Sequence, residues 1–343
     1  MDSPHRTAVS ILAALIFLTA TVRVEAAAPS IEEVMSRLGY TAEQREALLA
    51  GKIVTTDLER ARGDQLIAAA GMRLPVDIGT LFDNVAKGSG LEADPGIAAI
   101  GALGPDPDAA DWESLRFTEQ DRREAEKLLA YRGGDDFNLH GDETRVLRDG
   151  LKSVSPRAPD MLDKVSAAYR DLLAGRFTAY QKGGLAGVAP YQRGGDSLHP
   201  AKELGAVADQ TKPFLTEFFP EFWTAFSGFP ASQTPDAMNK FYWIKRAVEG
   251  RPCFILVHEM IAGGDSHVLL TRREFFVGHT YESLQVVALA LPADNGVAVF
   301  YVNAAFTEQI TGFFSGVAES VGQGRMKDDL TAYFTAVKKG QTD

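Results

Sequence analysis

Histidines and a glutamate in the last third of the chain are the residue types that could carry out acid–base or metal chemistry. His258 and Glu259 are adjacent, and His267 and His279 follow in the same apolar stretch. Imidazole and carboxylate groups bind zinc and transfer protons. The HExxH and CxxC patterns are both missing, however, and neighbouring residues on a strand point to opposite faces. A hydrolase or metal enzyme using His258, Glu259 and His279 is therefore our third hypothesis, and we expect no metal or other cofactor.

Two further polar features favour structural interpretations. Cys253 lies in an apolar run, and no serine occurs in a G-x-S-x-G pattern, so we assign no catalytic residue. The glycine-rich segment 133–143 carries Asp135, Asp136, Asp142 and Glu143, but the ligand order of an EF-hand is not met. We interpret that segment as a solvated loop.

The elements that must position these side chains are two predicted hairpins and a closing helix between Arg251 and Lys339. The runs PCFILVHEMIA and HVLLTRREFFV flank the turn GGDS, and LQVVALALPA and VAVFYVNAAF flank Asp294-Asn295-Gly296. From Thr307 the apolar residues recur at helical spacing. An antiparallel sheet with one long amphipathic helix must bury the helix stripe on a sheet face.

The first of these hairpins also predicts which side chains share a face. A turn at Gly264-Asp265 puts His258 opposite Thr271, and strand parity then places His258, His267, Arg273 and Phe275 together. A buried histidine beside an arginine is expected to stay neutral.

The rest of the chain predicts a domain organisation in four parts. Residues 1–26 form a signal peptide, because Ala8 to Val22 is apolar and Val24-Glu25-Ala26 suits cleavage near Ala26. Residues 27–110 contain two helices, three strands and the short helix IGTLFDNVAKG. Residues 111–250 form a helical insertion, in which Pro213 and Pro220 divide an apolar run and TPDAMNKFYWIKRAVEG is the last helix. Residues 251–343 complete the core.

Charge and hydropathy limit the partners. The net charge of −11 argues against nucleic-acid binding, which needs a basic surface. After the signal peptide, no segment reaches the ~20 consecutive apolar residues of a membrane span. We therefore expect a periplasmic or secreted protein without stable membrane insertion.

Two stretches resemble the START-like, or helix-grip, superfamily. AAAGMRLPVDIGTLFDNVA resembles its first strand and helix, and GVAVFYVNAAFTEQITGFFSGVAESVGQGRMKDDL resembles its last strand and gripping helix. The mature chain also resembles a group of bacterial exported proteins with no established activity, through YQKGG, FYWIK, RREFFVGHTYESLQ and FYVNAAFTEQITGFFSG. These resemblances imply an α+β fold, in which a START-like helix-grip antiparallel sheet carries a long C-terminal helix and a large helical insertion, and they imply export.

START-like proteins hold apolar ligands between the sheet and the C-terminal helix, so the resemblance implies a ligand site there. The candidate ligand-binding residues are Phe254, Leu256, His258, Arg273, Phe275, Tyr281, Tyr301, Asn303, Phe313, Phe314 and Val317. Helix glycines at 312, 316, 322 and 324 have two interpretations: they leave space for a ligand, or they allow close packing or a kink.

The sequence thus predicts an exported carrier of an apolar or amphipathic, lipid-like small molecule. The alternative is an interaction or scaffold protein that docks a partner through its apolar helices at 213–229, which contain FLTEFFPEFWTAF.

Overall fold

An eight-stranded antiparallel sheet forms the centre of the protein, and helices cover both of its faces. The computed structural model describes residues 28–193, 195–311 and 315–340. The strands are β1 (Val54–Asp57), β2 (Gln65–Leu74), β3 (Ile97–Leu103), β4 (Tyr191–Arg193), β5 (Asp196–Leu198), β6 (Ala237–Val248), β7 (Arg251–Gly263), β8 (Val268–Val277), β9 (Ser283–Ala293) and β10 (Gly296–Phe306). The main sheet has the order β1-β2-β10-β9-β8-β7-β6-β3, and β4 pairs with β5 in a separate hairpin.

The α-helices of the described residues fall into two layers. They are α1 (Ile31–Arg37), α2 (Ala42–Leu49), α3 (Ile78–Lys87), α4 (Ser89–Glu92), α5 (Ala109–Glu113), α6 (Arg122–Ala130), α7 (Gly141–Leu151), α8 (Met161–Gly183), α9 (Pro200–Phe218), α10 (Pro220–Ser227) and α11 (Ser315–Gly340). Helices α3, α4 and α11 pack on one face of the sheet, which we call the α11 face. Helices α1, α8, α9 and α10 pack on the other, which we call the α8 face.

The mixed α and β architecture and the large antiparallel sheet confirm the coarse fold prediction. Both C-terminal hairpins form as expected, and Asn295 and Gly296 adopt the positive φ values that their turn requires. The register of β7 with β8 differs by two residues from the prediction, because the turn spans Gly264 to His267 and His258 pairs with Arg273. A shift by an even number of residues leaves the same side chains on the same face.

The predicted helix at 234–250 is wrong. The segment forms strand β6, which pairs with β7 along its whole length and with β3 on its other edge. Aromatic residues fit such a position, and Gly101 on β3 leaves room for the indole of Trp243, which pairs with it across the strands. The helices inserted between β3 and β6 therefore end at Ser227.

Two further predictions about helix ends need correction. Pro213 lies inside α9, so only Pro220 begins a new helix. The C-terminal helix begins at Ser315, after a short 3-10 turn, and Val317 and Val321 are exposed rather than directed at the sheet. The sheet-facing residues of α11 are Met326, Leu330 and Phe334.

The N-terminal signal peptide and cleavage site predicted for residues 1–26 lie outside the described residues. None of the helices in the described ranges combines the length and the hydropathy that a transmembrane span needs.

The glycines of α11 differ in their surroundings, and this difference predicts different effects of alanine. A Cβ at Gly322 would lie 3.0 Å from Leu66 Cδ1, whereas a Cβ at Gly324 would meet open space. We expect Gly324→Ala to raise the free energy of unfolding by about 0.5–1 kcal/mol through helix propensity. Gly322→Ala should gain less, or lose stability, because the Leu66 side chain must move. Urea denaturation of the two variants measures this, and equal gains would contradict close packing at Gly322.

Candidate ligand-binding site

A cavity of about 190 Å³ lies between the α11 face of the sheet and helices α3, α4 and α11. Strands β8, β9 and β10 form its floor. Helices α3 and α4 form one part of its wall, and α11 forms the other. The larger wall side chains are Leu81 and Val85 from α3, and Tyr333, Phe334 and Val337 from α11. The cavity is therefore in the place where the sequence predicts a ligand, between the sheet and the C-terminal helix.

Small side chains in the middle of two cross-strand rows create this hollow. Ala290 lies between Val268 and Val299, which pair with it from the two neighbouring strands. Ala288 lies in the same way between Leu270 and Tyr301. Side chains of one row project from the same face, so an alanine flanked by larger residues leaves a depression in the sheet surface.

Polar groups meet at the Arg272 side of the cavity. Arg272 Nε donates a hydrogen bond to Glu259 Oε1 at 2.7 Å, and Arg272 Nη1 lies 3.5 Å from Tyr301 Oη. The side chains of Arg272 and Glu259 are both buried, and the residues pair directly across β7 and β8. Gly90 on α4 lies near this polar end, because a Cβ added there would be 3.5 Å from Tyr333 Oη.

The charges at this polar end follow from burial and pairing. Burial would lower the pKa of Arg272, but Tyr301 and Glu259 outweigh it and hold the pKa well above its ordinary value. Burial raises the pKa of Tyr301 and of Tyr333, so both hydroxyls stay protonated. The cavity thus offers an apolar body with a paired cation and two phenol groups at one end.

His258 lies on the opposite, α8 face and does not reach the cavity. Its Nδ1 is 2.8 Å from Tyr180 Oη, and its Nε2 is 2.8 Å from Asn239 Oδ1. Because the Asn239 oxygen can only accept, Nε2 carries the proton and Nδ1 accepts from the tyrosine. Burial, together with the charge of Arg273, lowers the pKa of His258 well below 6.5, which agrees with the predicted neutral imidazole.

The three residues of the enzyme hypothesis do not converge. His258 and Glu259 point to opposite faces of β7, and Glu259 is paired with Arg272. His279 lies in the loop after β8, where its ring nitrogens hydrogen-bond with the Pro252 carbonyl oxygen and the Thr280 hydroxyl. Burial and the charge of Arg251 lower the pKa of His279 to about 4. Within the described ranges, no three His, Cys, Asp or Glu side chains are arranged to hold a metal ion.

The structure distributes the predicted ligand-binding residues over several environments. Of the predicted residues that the structure describes, only Tyr301 lines the cavity, while Phe254, Leu256 and Phe275 pack into the core of the α8 face. Tyr281 donates a 2.5 Å hydrogen bond to Glu274 in a separate cluster. Asn303 is on the cavity's face of β10 but does not line it, and its Oδ1 is buried without a partner.

Val317, the predicted ligand-binding residue on the described part of the C-terminal helix, does not line the cavity either. Val317 is 70% exposed, and Phe313 and Phe314 lie outside the described residues. The lining residues that sequence reasoning missed are mainly Leu270, Arg272, Ala288, Ala290 and Tyr333. Cross-strand pairing with Tyr301 could have found Ala288, but only with the register known.

The segment 213–229 packs inward rather than presenting a large exposed apolar surface. Leu215, Phe219, Phe222 and Phe226 are buried in the core of the α8 face, and Phe214 and Trp223 are partly buried against it. Pro213 and Phe214 line a second groove of about 420 Å³ between α1, α9 and the sheet. Partner docking at this segment stays a prediction that these contacts do not test.

Comparisons with known proteins add little to this geometry. No protein-family model matches the chain, and no curated protein matches it. Among solved structures, the crystal structure of Ara h 8.0201 is similar at 12% identity and a TM-score of 0.18. The alignment covers 29% of this chain and 65% of that one, slightly under two thirds of its length. At this level of similarity the site is interpreted from its own residues alone.

The low pKa of His258 predicts a specific acid sensitivity. Below pH 6.5 the unfolded chain protonates this imidazole, while the folded protein keeps it neutral. The unfolded state then binds more protons, so the free energy of unfolding falls as the pH falls, approaching about 1.4 kcal/mol per pH unit for one group. Urea denaturation between about pH 7.5 and about pH 5 should show a shallower fall in His258→Gln than in wild type.

The control for this measurement is His199→Gln, which removes an exposed imidazole instead. The comparison uses the slope against pH rather than the absolute stability, because losing the bonds to Tyr180 and Asn239 lowers stability at every pH. Equal slopes in wild type and His258→Gln would contradict the assignment of a neutral His258.

Proposed function

We propose that this protein is an exported, START-like helix-grip protein that binds and carries an apolar or amphipathic small molecule. The ligand lies between the sheet and α11, in the cavity whose floor contains Ala288 and Ala290. The observation that carries the proposal is the cavity itself, since an apolar hollow with polar groups at one end is the usual form of a small-molecule site.

The chain order supports the helix-grip assignment. Strand β2 is followed by the short helices α3 and α4, then by the six antiparallel strands β3 and β6 to β10, and α11 closes the chain against the sheet. Strand β2 pairs with β10, so the first and last strands of this unit are neighbours. The helices between Ala109 and Ser227 then form an insertion between two adjacent strands, β3 and β6.

The lining favours a ligand with a small apolar body and a hydrogen-bonding head. Leucine, valine, alanine and phenylalanine side chains form most of the walls, so transfer of an apolar group from water is favourable by about 25 cal/mol per Å² of buried area. The head would lie against Arg272, Tyr301 and Tyr333. Because Glu259 already pairs with Arg272, this end suits a hydroxyl, ester or weakly charged head better than a dianion.

Export rests on the sequence of residues 1–26 and is part of the proposal. A carrier in the periplasm would shield an apolar molecule from water between membranes or enzymes, which needs binding without chemistry.

The first experiment is native mass spectrometry of the full chain purified from the periplasm of a producing cell, followed by solvent extraction. We expect a stoichiometric adduct that extraction releases as a small amphipathic molecule. A protein of ligand-free mass with an empty extract, which also fails to bind an added fatty-acid fluorophore, would contradict the proposal.

Filling the cavity tests where the ligand binds. Ala290→Leu places a larger side chain between Val268 and Val299, so it should lower the affinity for a fluorescent fatty acid at least tenfold while the fold is kept. Fluorescence titration measures the affinity, and circular dichroism checks the fold. Ala98→Leu, the same change at an exposed strand position, should bind like wild type. Unchanged binding by a folded Ala290→Leu would place the ligand elsewhere.

A further inference from the structure

Arg273 differs from its neighbour Arg272 in having no carboxylate partner. The two side chains project from opposite faces of β8, and both residues are buried, at 2% and 5% exposure. Arg272 pairs with Glu259. Among the described residues, Arg273 instead contacts neutral groups. Its Nε lies 3.3 Å from Gln285 Oε1, its Nη1 lies 3.3 Å from the Phe226 carbonyl oxygen, and its guanidinium lies 3.7 Å from the Phe226 ring centroid. The Tyr180 hydroxyl also lies close enough to interact with the Arg273 side chain.

Several buried hydrogen-bonding atoms around Arg273 have no close partner among the residues that the structure describes. Arg273 Nη2, Gln285 Nε2 and Thr271 Oγ1 have no acceptor or donor of that part of the chain at hydrogen-bond distance. Gln285 pairs with Arg273 across β8 and β9, and Thr271 lies two residues before Arg273 on the same face. Two of the three atoms are nitrogen donors and the third is a hydroxyl, so together they form a set of donors beside a positive charge.

A buried, unpaired guanidinium is costly, and each unsatisfied buried donor adds to the cost. The ring of Phe226 relieves this only in part, because a cation–π contact leaves the N–H groups in the plane without acceptors. An acceptor with a negative charge beside Arg273 and its cross-strand partner Gln285 would satisfy hydrogen bonds and offset the charge together. A water molecule would satisfy only some of the hydrogen bonds.

We propose that this donor set on the α8 face binds a small monovalent anion, either a halide such as chloride or a short carboxylate. The site is separate from the ligand cavity, which lies on the other side of the sheet. The anion joins β8 to β9, and it takes beside Arg273 the place that Glu259 has beside Arg272.

The test compares the full-length wild type with Gln285→Glu, which supplies a carboxylate from within the chain. Thermal and urea unfolding are followed in sodium chloride, sodium formate and sodium gluconate at equal ionic strength. We expect chloride or formate, but not the bulky gluconate, to stabilise the wild type, by up to about 1.4 kcal/mol for each tenfold rise in the free anion concentration above the Kd. The anion that stabilises more identifies the class.

In Gln285→Glu the dependence on the small anion should disappear, because the new carboxylate pairs with Arg273. The control Gln233→Glu adds the same charge at an exposed loop position and should keep the wild-type dependence. Crystals of the wild type grown in sodium bromide provide a second measurement, with an anomalous peak expected beside Arg273 Nη2 and Gln285 Nε2. No difference among the three salts and no bromide peak at this position would overturn the proposal, as would an equal anion dependence in both variants.

Discussion

Burial of strand β8 on both faces is the constraint on which the rest of the structure depends. All ten of its residues are buried, including two arginines and a glutamate. Successive side chains on a strand enter opposite layers, so Arg272 and Arg273 lie in separate environments although they are adjacent. The same rule separates Glu259 from His258 on β7. Adjacent residues of one strand therefore face different sites: Arg272 lies at the cavity of the α11 face, and Arg273 lies in the core of the α8 face.

The helices between β3 and β6 are responsible for this burial. In a two-layer arrangement of one sheet and one helix layer, the second face of the sheet would meet water and its residues would be polar. Here α8, α9 and α10 cover that face, so Phe254, Phe276 and Met260 are buried there. This explains why most of β7 and both ends of β8 read as continuous apolar runs instead of alternating ones.

Two of the polar residues in this buried sheet have a compensating arrangement. His258 is neutral and bonded at both ring nitrogens, and Arg272 has a carboxylate directly across the strand pair. Both arrangements avoid a lone buried charge, which would be strongly destabilising. Arg273 lacks such a partner among the described residues, and this is why it is the place where the fold has capacity for a bound anion.

The sequence by itself determined the elements whose signals are local. Turn residues such as Asn295-Gly296 located the C-terminal hairpins, and the segment IGTLFDNVAKG was recognisable as the short helix α3. Strand parity also grouped His258, Arg273 and Phe275 correctly, because it survives a register shift of two residues. These signals act over a few residues, so no knowledge of distant partners is needed.

Only the tertiary structure decided which segments pair and where space remains. Residues 234–250 read as a helix, but the free energy of pairing with both β3 and β7 makes them a strand. The cavity depends on Ala288 and Ala290 meeting larger residues from two other strands, and the partner of Arg272 lies on a third. Such arrangements involve residues far apart in the chain, and an alanine or an arginine in the sequence carries no signal of what it will face.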